Sequence, residues 1–468
     1  MAMDERPGGS GGPRRTSAEP AGRSVPAGRI ARVAGLGGTV GGIAANMAAR
    51  GIGEIAQGRR PAFRDLLLTP GNIGRLTDEL ARLRGAAMKL GQLISMDAGD
   101  MLPPELAEIM ARLRMGADPM PPQQLKTVLT EAWGKSWLRQ FRSFETTPIA
   151  AASIGQVHRG VTKEGARLAI KVQYPGVRES IDSDVDNVGT LLRLSGLMPD
   201  GVDPAPFLAE AKRQLHQEAD YGYEAGQLRR YAALMEGLDD YRVPALHEPL
   251  CTREVLVMSY EPGEAVEARL SAPQAERDRI AHLLLDLCFR EIYGFGLVQT
   301  DPNFANYRYD PETSQIVLLD FGASREVPGE MMAPMRALMQ AAMADDRAAM
   351  AEAALAVGFV GPETQAHHTE GVVAMMAMAV EPFHTNAPYD FAASDLTDRL
   401  REAGTELALD RSFEHVPPMD LLYFQRKLGG MYMLATRLGA RVDLGALIAP
   451  WLEAPAMPSA VAARERAG

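Results

Sequence analysis

The sequence predicts an α+β fold of two lobes, in which a small antiparallel sheet precedes a larger, mainly helical lobe, with a helical extension before both. Three changes of pattern along the chain predict it. From about residue 61 to 137, leucines and methionines recur every three or four residues, as on amphipathic helices. Between about residues 143 and 172, apolar and polar residues alternate, as on strands. Beyond residue 272 the helical spacing returns, interrupted only by strand-like runs at 306–309 and 315–319.

Composition limits the class of protein and its partners. The chain has 468 residues, of which 46% are apolar, and this length suits about three structural units or one large two-lobed enzyme. Sixty acidic and 49 basic side chains give a net charge of −11, which argues against a general nucleic-acid binder because such proteins need a basic surface. The two cysteines, Cys251 and Cys288, are too few for a disulfide framework and favour a reducing compartment.

Three segments are predicted before the sheet. Residues 1–27 are rich in Gly, Pro, Ser and Arg and are expected to form a disordered tail. Residues 28–60 are glycine-rich, with small residues four apart such as Gly37 and Gly41, a spacing that lets helices approach closely in lipid. This segment is expected either to associate with a membrane or to act as a flexible linker. Residues 61–140 form the predicted helical extension.

The two lobes follow the extension. The sheet-containing lobe is predicted over residues 141–263, with residues 163–165 (Lys-Glu-Gly) as a hairpin turn and one long inserted helix from about 206 to 237. The mainly helical lobe is predicted over residues 264–468. A small β lobe joined to a larger helical lobe is the architecture of protein kinases, so a kinase-like fold is expected.

The strongest chemical signal is QTDPNFANYRYDPETSQIVLLDFG. Asp301 is followed five residues later by Asn306, and an apolar strand then ends at Asp320. Protein-kinase-like enzymes arrange a catalytic aspartate and two metal ligands in this way. Carboxylate and amide oxygens suit Mg²⁺, which neutralises charge on the transferred phosphoryl group. A capped turn explains Asp301 alone, but the complete set predicts Asp301 as a catalytic residue and Asn306 and Asp320 as metal ligands.

Lys171 lies on the apolar strand ARLAIKV, where a charge must be paired or bound to a ligand. In the kinase arrangement such a lysine binds the α and β phosphates and is positioned by a glutamate from an inserted helix. The alternative is a lysine at a strand edge that reaches water. We expect the first reading, with Glu224 as the positioning glutamate.

The segment HQEADYGYEAGQL carries Glu218, Asp220 and Glu224. On one continuous helix, Asp220 and Glu224 are about 40° apart and Glu218 and Glu224 about 120° apart, so the three carboxylates need not share a partner. The same helix is therefore predicted to serve two sites. A solvated acidic face is the alternative.

Two further motifs flank these residues. AAASIGQVH, at 150–158, stands where a kinase has its glycine-rich loop, and its small side chains allow close backbone approach to phosphates. Without the kinase comparison it is only a tight turn. The predicted nucleotide contacts there are Ala150, Ala151, Ala152, Ser153 and Gln156.

In the extension, Gly91 within a helix costs about 1 kcal/mol relative to alanine, which indicates close packing beside Lys89 and Gln92.

Together these motifs resemble the UbiB family of atypical kinases, also called the AarF or ADCK family, over about residues 82–325. The matching motifs are KxGQ at Lys89, Gly91 and Gln92, the alanine-rich loop at 150–156, ExD at Glu218 and Asp220, and the catalytic and metal motifs around Asp301, Asn306 and Asp320. The wording QTDPNFANY resembles the mitochondrial and α-proteobacterial coenzyme Q branch.

The resemblance implies a protein-kinase-like fold that binds ATP or ADP with Mg²⁺, lacks ordinary protein-kinase activity and supports ubiquinone (coenzyme Q) biosynthesis at a membrane through ATPase activity. A small-molecule or lipid kinase using Asp301 as base, and a nucleotide-sensing pseudokinase scaffold, remain alternatives. Expected partners are quinone-biosynthesis enzymes, lipid or quinone precursors, an anionic membrane surface and a second copy of the chain, without nucleic acid. The expected location is the cytoplasmic side of a bacterial inner membrane, with the mitochondrion as the alternative.

The charges of the extension predict where it docks. Lys89 has no obvious partner in its own segment, and Glu218 and Asp220 remain when Glu224 is assigned to Lys171. Pairing between these groups would lay the extension across the cleft in which a kinase receives a peptide. We therefore expect a regulatory contact between KxGQ and ExD that excludes protein substrates.

Overall fold

The computed structural model describes residues 80, 83, 85–87, 89, 119–152, 154–195, 205–385, 387–410, 412–413 and 415–453. The predicted tail and glycine-rich segment, residues 1–60, lie outside the described residues, as do Gly91, Gln92 and Ser153. Among the described residues, no helix combines the length and hydrophobicity that crossing a bilayer requires.

The helices and strands are labelled in chain order. The helices are α1 (Pro122–Trp133), α2 (Val177–Ser195), α3 (Ala205–Glu218), α4 (Tyr221–Leu234), α5 (Gln274–Phe289), α6 (Gly329–Met343), α7 (Arg347–Val357), α8 (Ala366–Ala379), α9 (Leu396–Leu409), α10 (Met419–Leu438) and α11 (Leu444–Glu453). The strands are β1 (Phe141–Phe144), β2 (Ala150–Ala151), β3 (Gly155–Thr162), β4 (Arg167–Gln173), β5 (Tyr241–Arg242), β6 (Val255–Ser259), β7 (Glu264–Ala265), β8 (Leu297–Gln299), β9 (Tyr307–Asp310), β10 (Gln315–Leu318), β11 (Ser324–Glu326), β12 (Tyr389–Asp390) and β13 (Arg441–Val442).

The first lobe contains an antiparallel sheet in the order β1-β3-β4-β6, with β2 paired to β3. The predicted hairpin joins β3 to β4, and its turn contains Gly165 with φ +94°, a conformation that favours glycine. Residues alternate between the two faces of β4. Ile170 and Val172 pack against α1, whereas Lys171 points to the opposite face, toward α4.

The single inserted helix predicted from about residue 206 to 237 is wrong. Three helices lie between β4 and β5 in the part of this segment that the structure describes, and the break between α3 and α4 falls at Asp220. Its carboxylate accepts hydrogen bonds from the backbone N–H groups of Gly222 (3.0 Å) and Tyr223 (3.3 Å). These groups have no partner within the helix, so an aspartate here favours a new helix start over continuation. The angular argument that treated Glu218, Asp220 and Glu224 as one helix therefore does not apply.

The helical lobe contains short strands, and the loops with the predicted site residues follow them. Strands β5, β10, β9 and β7 form a four-stranded sheet, and β8 pairs with β11. Helices α5 and α10 pack beneath them in a core that includes Phe321, Phe424 and Leu434. These buried strands and helices fix the points at which the loops carrying Asp301 and Asp320 begin and end.

Capping explains Asp220 better than a surface charge does, and this is testable. Asp220→Ala removes the acceptor and is expected to lower the free energy of unfolding by about 1 kcal/mol. Asp220→Asn keeps a side-chain oxygen and is expected to cost only a few tenths of that amount. The measurement is the urea midpoint of each variant. An equal loss in Asn and Ala would show instead that the negative charge, 3.9 Å from Arg178, is what matters.

Candidate active site

Three elements meet at Lys171. Its Nζ on β4 lies 2.8 Å and 2.9 Å from the two carboxylate oxygens of Glu224 on α4, and 3.2 Å from Oδ2 of Asp320. Asp320 belongs to the loop between β10 and β11. The lysine and Glu224 are buried, while about a third of the Asp320 side chain, 34%, remains exposed. Lys171 and Glu224 are therefore shielded from solvent, and Asp320 is the member of the cluster that a ligand can reach.

Burial and the neighbouring charges together set the ionisation of this cluster. Burial by itself lowers the pKa of Lys171, but the carboxylates of Asp320 and Glu224 raise it well above the ordinary value of a lysine. Burial opposes ionisation of Asp320, yet Lys171 and the N–H of Gly322 hold its pKa below the ordinary value. Burial raises the pKa of Glu224 to about 7, because Lys171 only partly offsets it. Lys171 and Asp320 are thus charged near neutral pH.

Backbone pairing brings the predicted catalytic residues together. Thr300 N–H donates to the carbonyl of Ala323 (3.1 Å), which continues the β8–β11 pairing up to Asp301. Leu319 N–H donates to the carbonyl of Asn306 (3.0 Å), which places Asn306 beside Asp320. Asp301, Asn306 and Asp320 consequently lie on two adjoining loops.

Asp301 is held by two neighbours. Its Oδ1 accepts a hydrogen bond from Arg426 of α10 at 2.9 Å, and its Oδ2 accepts one from Nδ2 of Asn306 at 3.2 Å. Arg426 was not predicted from the sequence. The signal lies in LLYFQRKLGG, where two consecutive cations interrupt an otherwise apolar helix and so require partners.

The second of these cations, Lys427, contacts the residue that follows the Asp301–Asn306 loop. Lys427 is fully buried, and its Nζ lies 2.8 Å from Glu291 and 3.0 Å from the hydroxyl of Tyr307, the residue after Asn306. Tyr231 of α4 donates to the same glutamate at 2.9 Å, and its ring packs on Phe321 at 5.1 Å. Helix α4, the loop that ends at Asn306 and the loop that carries Asp320 are therefore all connected to one buried ion pair.

The residues present fit a Mg²⁺ ion. Both hydrogen bonds that the Asn306 side chain makes with described residues are donated by Nδ2, which leaves its Oδ1 for another ligand. Asp320 is partly exposed beside it. Amide and carboxylate oxygens are the donors that Mg²⁺ prefers.

The alanine-rich loop forms a tight turn over the sheet. Ala150 and Ala151 form β2, and Ala152 N–H donates to the carbonyl of Gly155 (2.8 Å). A Cβ at Gly155 would lie 2.4 Å from the Val172 carbonyl oxygen, so this position requires glycine. Ser153, also predicted to contact nucleotide, lies outside the described residues.

The structure corrects the prediction for Gln156 as a nucleotide contact. Gln156 pairs with Val172, one residue beyond Lys171, so its side chain points to the opposite face of the sheet. There it is fully buried, accepts a hydrogen bond from Met120 N–H (2.8 Å) and bonds His158 (2.9 Å). Its side chain ties the segment before α1 to the sheet instead.

A polar group that sequence analysis missed lies beside this loop. The Tyr221 hydroxyl is buried and has no hydrogen-bond partner among the described residues. It lies 2.9 Å from the position of a Cβ at Gly155, and its ring centroid is 5.3 Å from Nζ of Lys171. The hydroxyl thus lies between the glycine of this loop and the cluster around Lys171.

The predicted contact between KxGQ and ExD is formed by only one of the two acidic residues. Lys89 bonds the carboxylate of Glu218 at the end of α3, and both side chains are mostly buried. Asp220 caps α4 and faces Arg178, so its predicted pairing with Lys89 is wrong. Gln92 lies outside the described residues.

Comparison with known proteins decides the family. The ABC1 atypical kinase-like domain matches residues 112–354, more than half of the chain. The chain belongs to this family of atypical kinases. Relatives include the atypical kinase COQ8 of Saccharomyces cerevisiae, 36% identical over 427 residues covering 91% of this chain and 85% of the yeast protein. Rat COQ8B is 36% identical over 430 residues, covering 90% of this chain and 80% of the relative. The predicted membership of the UbiB family, which includes the AarF-domain and COQ8 kinases, is confirmed.

A solved structure agrees on the fold. Rv3197 of Mycobacterium tuberculosis, determined in complex with erythromycin, superposes with a TM-score of 0.57 and 23% identity, covering 81% of this chain and 94% of that one. The match to the ABC1 atypical kinase-like domain and the antiparallel sheet followed by a helical lobe confirm the predicted two-lobed, kinase-like α+β fold.

The titration of Glu224 gives a pH prediction. Its pKa in the folded protein, about 7, exceeds the ordinary 4.5, so its contribution to stability is complete below about pH 4.5 and is lost as pH rises through 7. Glu224→Gln cannot titrate. We therefore expect the variant to gain stability relative to the wild type as pH rises from about 5 to about 8. Thermal unfolding at matched ionic strength measures this, and a difference that stays constant with pH would contradict the assignment.

Proposed function

We propose that this atypical kinase binds Mg-ATP or Mg-ADP and hydrolyses ATP in support of ubiquinone biosynthesis, without acting as a general protein kinase. The contact of Lys171 with Glu224 and Asp320, next to Asp301 and Asn306, is the observation that carries the proposal. A buried lysine held by a helix carboxylate and a loop carboxylate is the arrangement that phosphoryl-transfer enzymes of the kinase type use.

Each residue has a stated role in this proposal. Lys171 binds the nucleotide phosphates and Glu224 positions it. Asn306 and Asp320 hold Mg²⁺, which supplies neutralisation of phosphate charge when bound. Asp301 orients the attacking water or acceptor and takes its proton. The backbone at Ala150, Ala151 and Ala152 is proposed to lie close to the phosphates, as small side chains permit, although the N–H of Ala152 is already bonded within the turn.

The exclusion of protein substrates rests on the extension. Lys89 and Glu218 form a mostly buried ion pair, and removal of one partner from such a pair leaves an uncompensated charge. This pair holds the extension to α3, immediately before the helix that carries Glu224. We infer that the extension occupies the side on which a kinase would receive a peptide.

The cellular setting follows from the family. The relatives compared above are named COQ8 and mitochondrial, which supports a role in coenzyme Q biosynthesis and the mitochondrial alternative for location. We propose peripheral association with a quinone-bearing inner membrane through residues 28–60, with quinone-biosynthesis enzymes and lipid or quinone precursors as partners and with self-association into a homodimer.

Phosphate release and nucleotide-dependent stabilisation test the proposal together. At 100 times its Kd, Mg-ADP should stabilise the wild type by about 2.7 kcal/mol. Asp320→Asn and Lys171→Ala should lose this stabilisation, because they remove a metal ligand and the phosphate contact. Asp301→Asn should keep it but lower phosphate release by about 10² to 10⁴, the usual contribution of a positioned base.

The matched control is Asp345→Asn, which changes an exposed aspartate on a turn and should leave both readouts unchanged. Stabilisation that persists in Asp320→Asn and Lys171→Ala would refute the site. A phosphorylated lipid or small molecule, in place of free phosphate, would identify a kinase. Binding without turnover in the wild type would identify a scaffold.

Lys89→Ala tests the exclusion of protein substrates. The wild type is expected to transfer no radiolabel from ATP to itself or to generic peptides, whereas Lys89→Ala should change label transfer or phosphate release at least severalfold. The control is Lys212→Ala, because Lys212 on α3 is half-buried and pairs with an exposed carboxylate, that of Asp186 at 2.7 Å. Efficient peptide phosphorylation by the wild type would contradict the proposed exclusion of protein substrates. If Lys89→Ala changed neither label transfer nor phosphate release, the KxGQ motif would serve only helix packing.

A further inference from the structure

Three metal-ligating side chains converge in the helical lobe, apart from the residues assigned to nucleotide and Mg²⁺. His367 and His368 begin helix α8, and Asp410 follows the end of α9. Both Nε2 atoms face the same carboxylate oxygen, Asp410 Oδ2, at 3.4 Å from His367 and 2.9 Å from His368. The three candidate ligand atoms lie within 4.8 Å of one another, and among the described residues this is the one such cluster.

These separations suit a small tetrahedral ion. Metal–ligand bonds of about 2.0–2.1 Å to histidine nitrogen and carboxylate oxygen give a tetrahedron with edges of about 3.3–3.4 Å. The edge from His367 to Asp410, 3.4 Å, matches that value, and the edge from His368 to Asp410, 2.9 Å, would have to lengthen by about 0.4 Å. The exposed His367 ring lies against that of His368, with centroids 3.9 Å apart, and would have to rotate to close the remaining separation. His368 is only 2% exposed.

The surroundings orient the ligands as they do in metal sites. Ser412 donates to the other oxygen of Asp410 from both its hydroxyl (2.6 Å) and its backbone N–H (3.0 Å), which turns Oδ2 toward the imidazoles. The His368 ring packs on Phe413, with centroids 5.1 Å apart. Hydrogen bonds that fix a ligating carboxylate, and an apolar shell, are the usual supports of a bound metal.

We propose that His367, His368 and Asp410 bind a zinc ion, with water in the fourth position. Two imidazole nitrogens and one carboxylate favour a borderline divalent cation over Mg²⁺ or Ca²⁺, which prefer oxygen ligands alone. The ion would link the start of α8 to the chain after α9, and so stabilise the outer part of the helical lobe. This inference does not depend on the proposed ATPase activity.

Cobalt substitution tests the site with a direct spectroscopic signal. The full chain, freed of any affinity tag and of metal by dialysis against a chelator, is titrated with Co²⁺ and then with Zn²⁺. We expect one equivalent of Co²⁺ to give the intense visible absorption of tetrahedral coordination, and one equivalent of Zn²⁺ to remove it. His367→Ala and Asp410→Asn should weaken Zn²⁺ binding at least tenfold, since each removes a ligand.

His384→Ala is the matched control, because His384 is also exposed in the helical lobe and should leave the spectrum and the affinity unchanged. His367 is exposed, so its variant is expected to fold, and an unchanged circular dichroism spectrum verifies this. Mg-nucleotide stabilisation should remain in His367→Ala, which separates this site from the active site. Absence of the tetrahedral signal in the wild type, or the same signal and affinity in His367→Ala, would overturn the proposal.

Discussion

The ion contact of Lys171 with Glu224 and Asp320 is the constraint on which the site depends. A lysine in the middle of a buried strand is tolerated only if opposite charges reach it. One carboxylate comes from helix α4 and the other from the loop after β10, so the sheet, the helix and the loop must take one relative position. Loss of one partner from a buried pair typically costs about 3–5 kcal/mol. The arrangement that assembles the candidate site thus also holds the lobes together.

A second buried ion pair helps to fix the position of helix α4 relative to the helical lobe. Lys427 and Glu291 are both fully buried, and Tyr231 and Tyr307 complete their hydrogen bonds from α4 and from β9. Tyr231 lies two turns beyond Glu224 on the same helix. The orientation of α4 at the Lys171 end is consequently linked to a rigid point inside the helical lobe. Buried polar networks of this kind specify one arrangement among several that a purely apolar core would allow.

The helical extension is tied to the first lobe at two places. On the outer face of the sheet, α1 packs with Ile170 and Val172, and Gln156 bonds the backbone of Met120. On the α3 side, Lys89 bonds Glu218. The same helix α3 carries Glu210, which lies 2.6 Å from Arg325 in β11 of the helical lobe. The extension therefore contacts a helix that also contacts the helical lobe, which is a physical route from Lys89 toward the loops that carry Asp301, Asn306 and Asp320.

The sequence by itself determined the fold class, the family and the linear order of the motifs, because short-range spacing carries that information. The five-residue offset from Asp301 to Asn306 and the apolar strand before Asp320 are local patterns. What only the tertiary structure decided are choices made by distant partners. The side chain of Gln156 points away from the face of the sheet that carries Lys171, because the strand register pairs Gln156 with Val172.

The remaining differences have the same origin. Asp220 ends one helix and starts another because backbone N–H groups compete for its carboxylate, and helical periodicity on both sides of it conceals the break. Arg426 reaches Asp301 from a helix more than a hundred residues later in the chain, and His367 and His368 meet Asp410 across two helices. Spacing along the chain carries no record of such contacts. They arise only when packing of the helical lobe brings charges together at distances at which they must be paired.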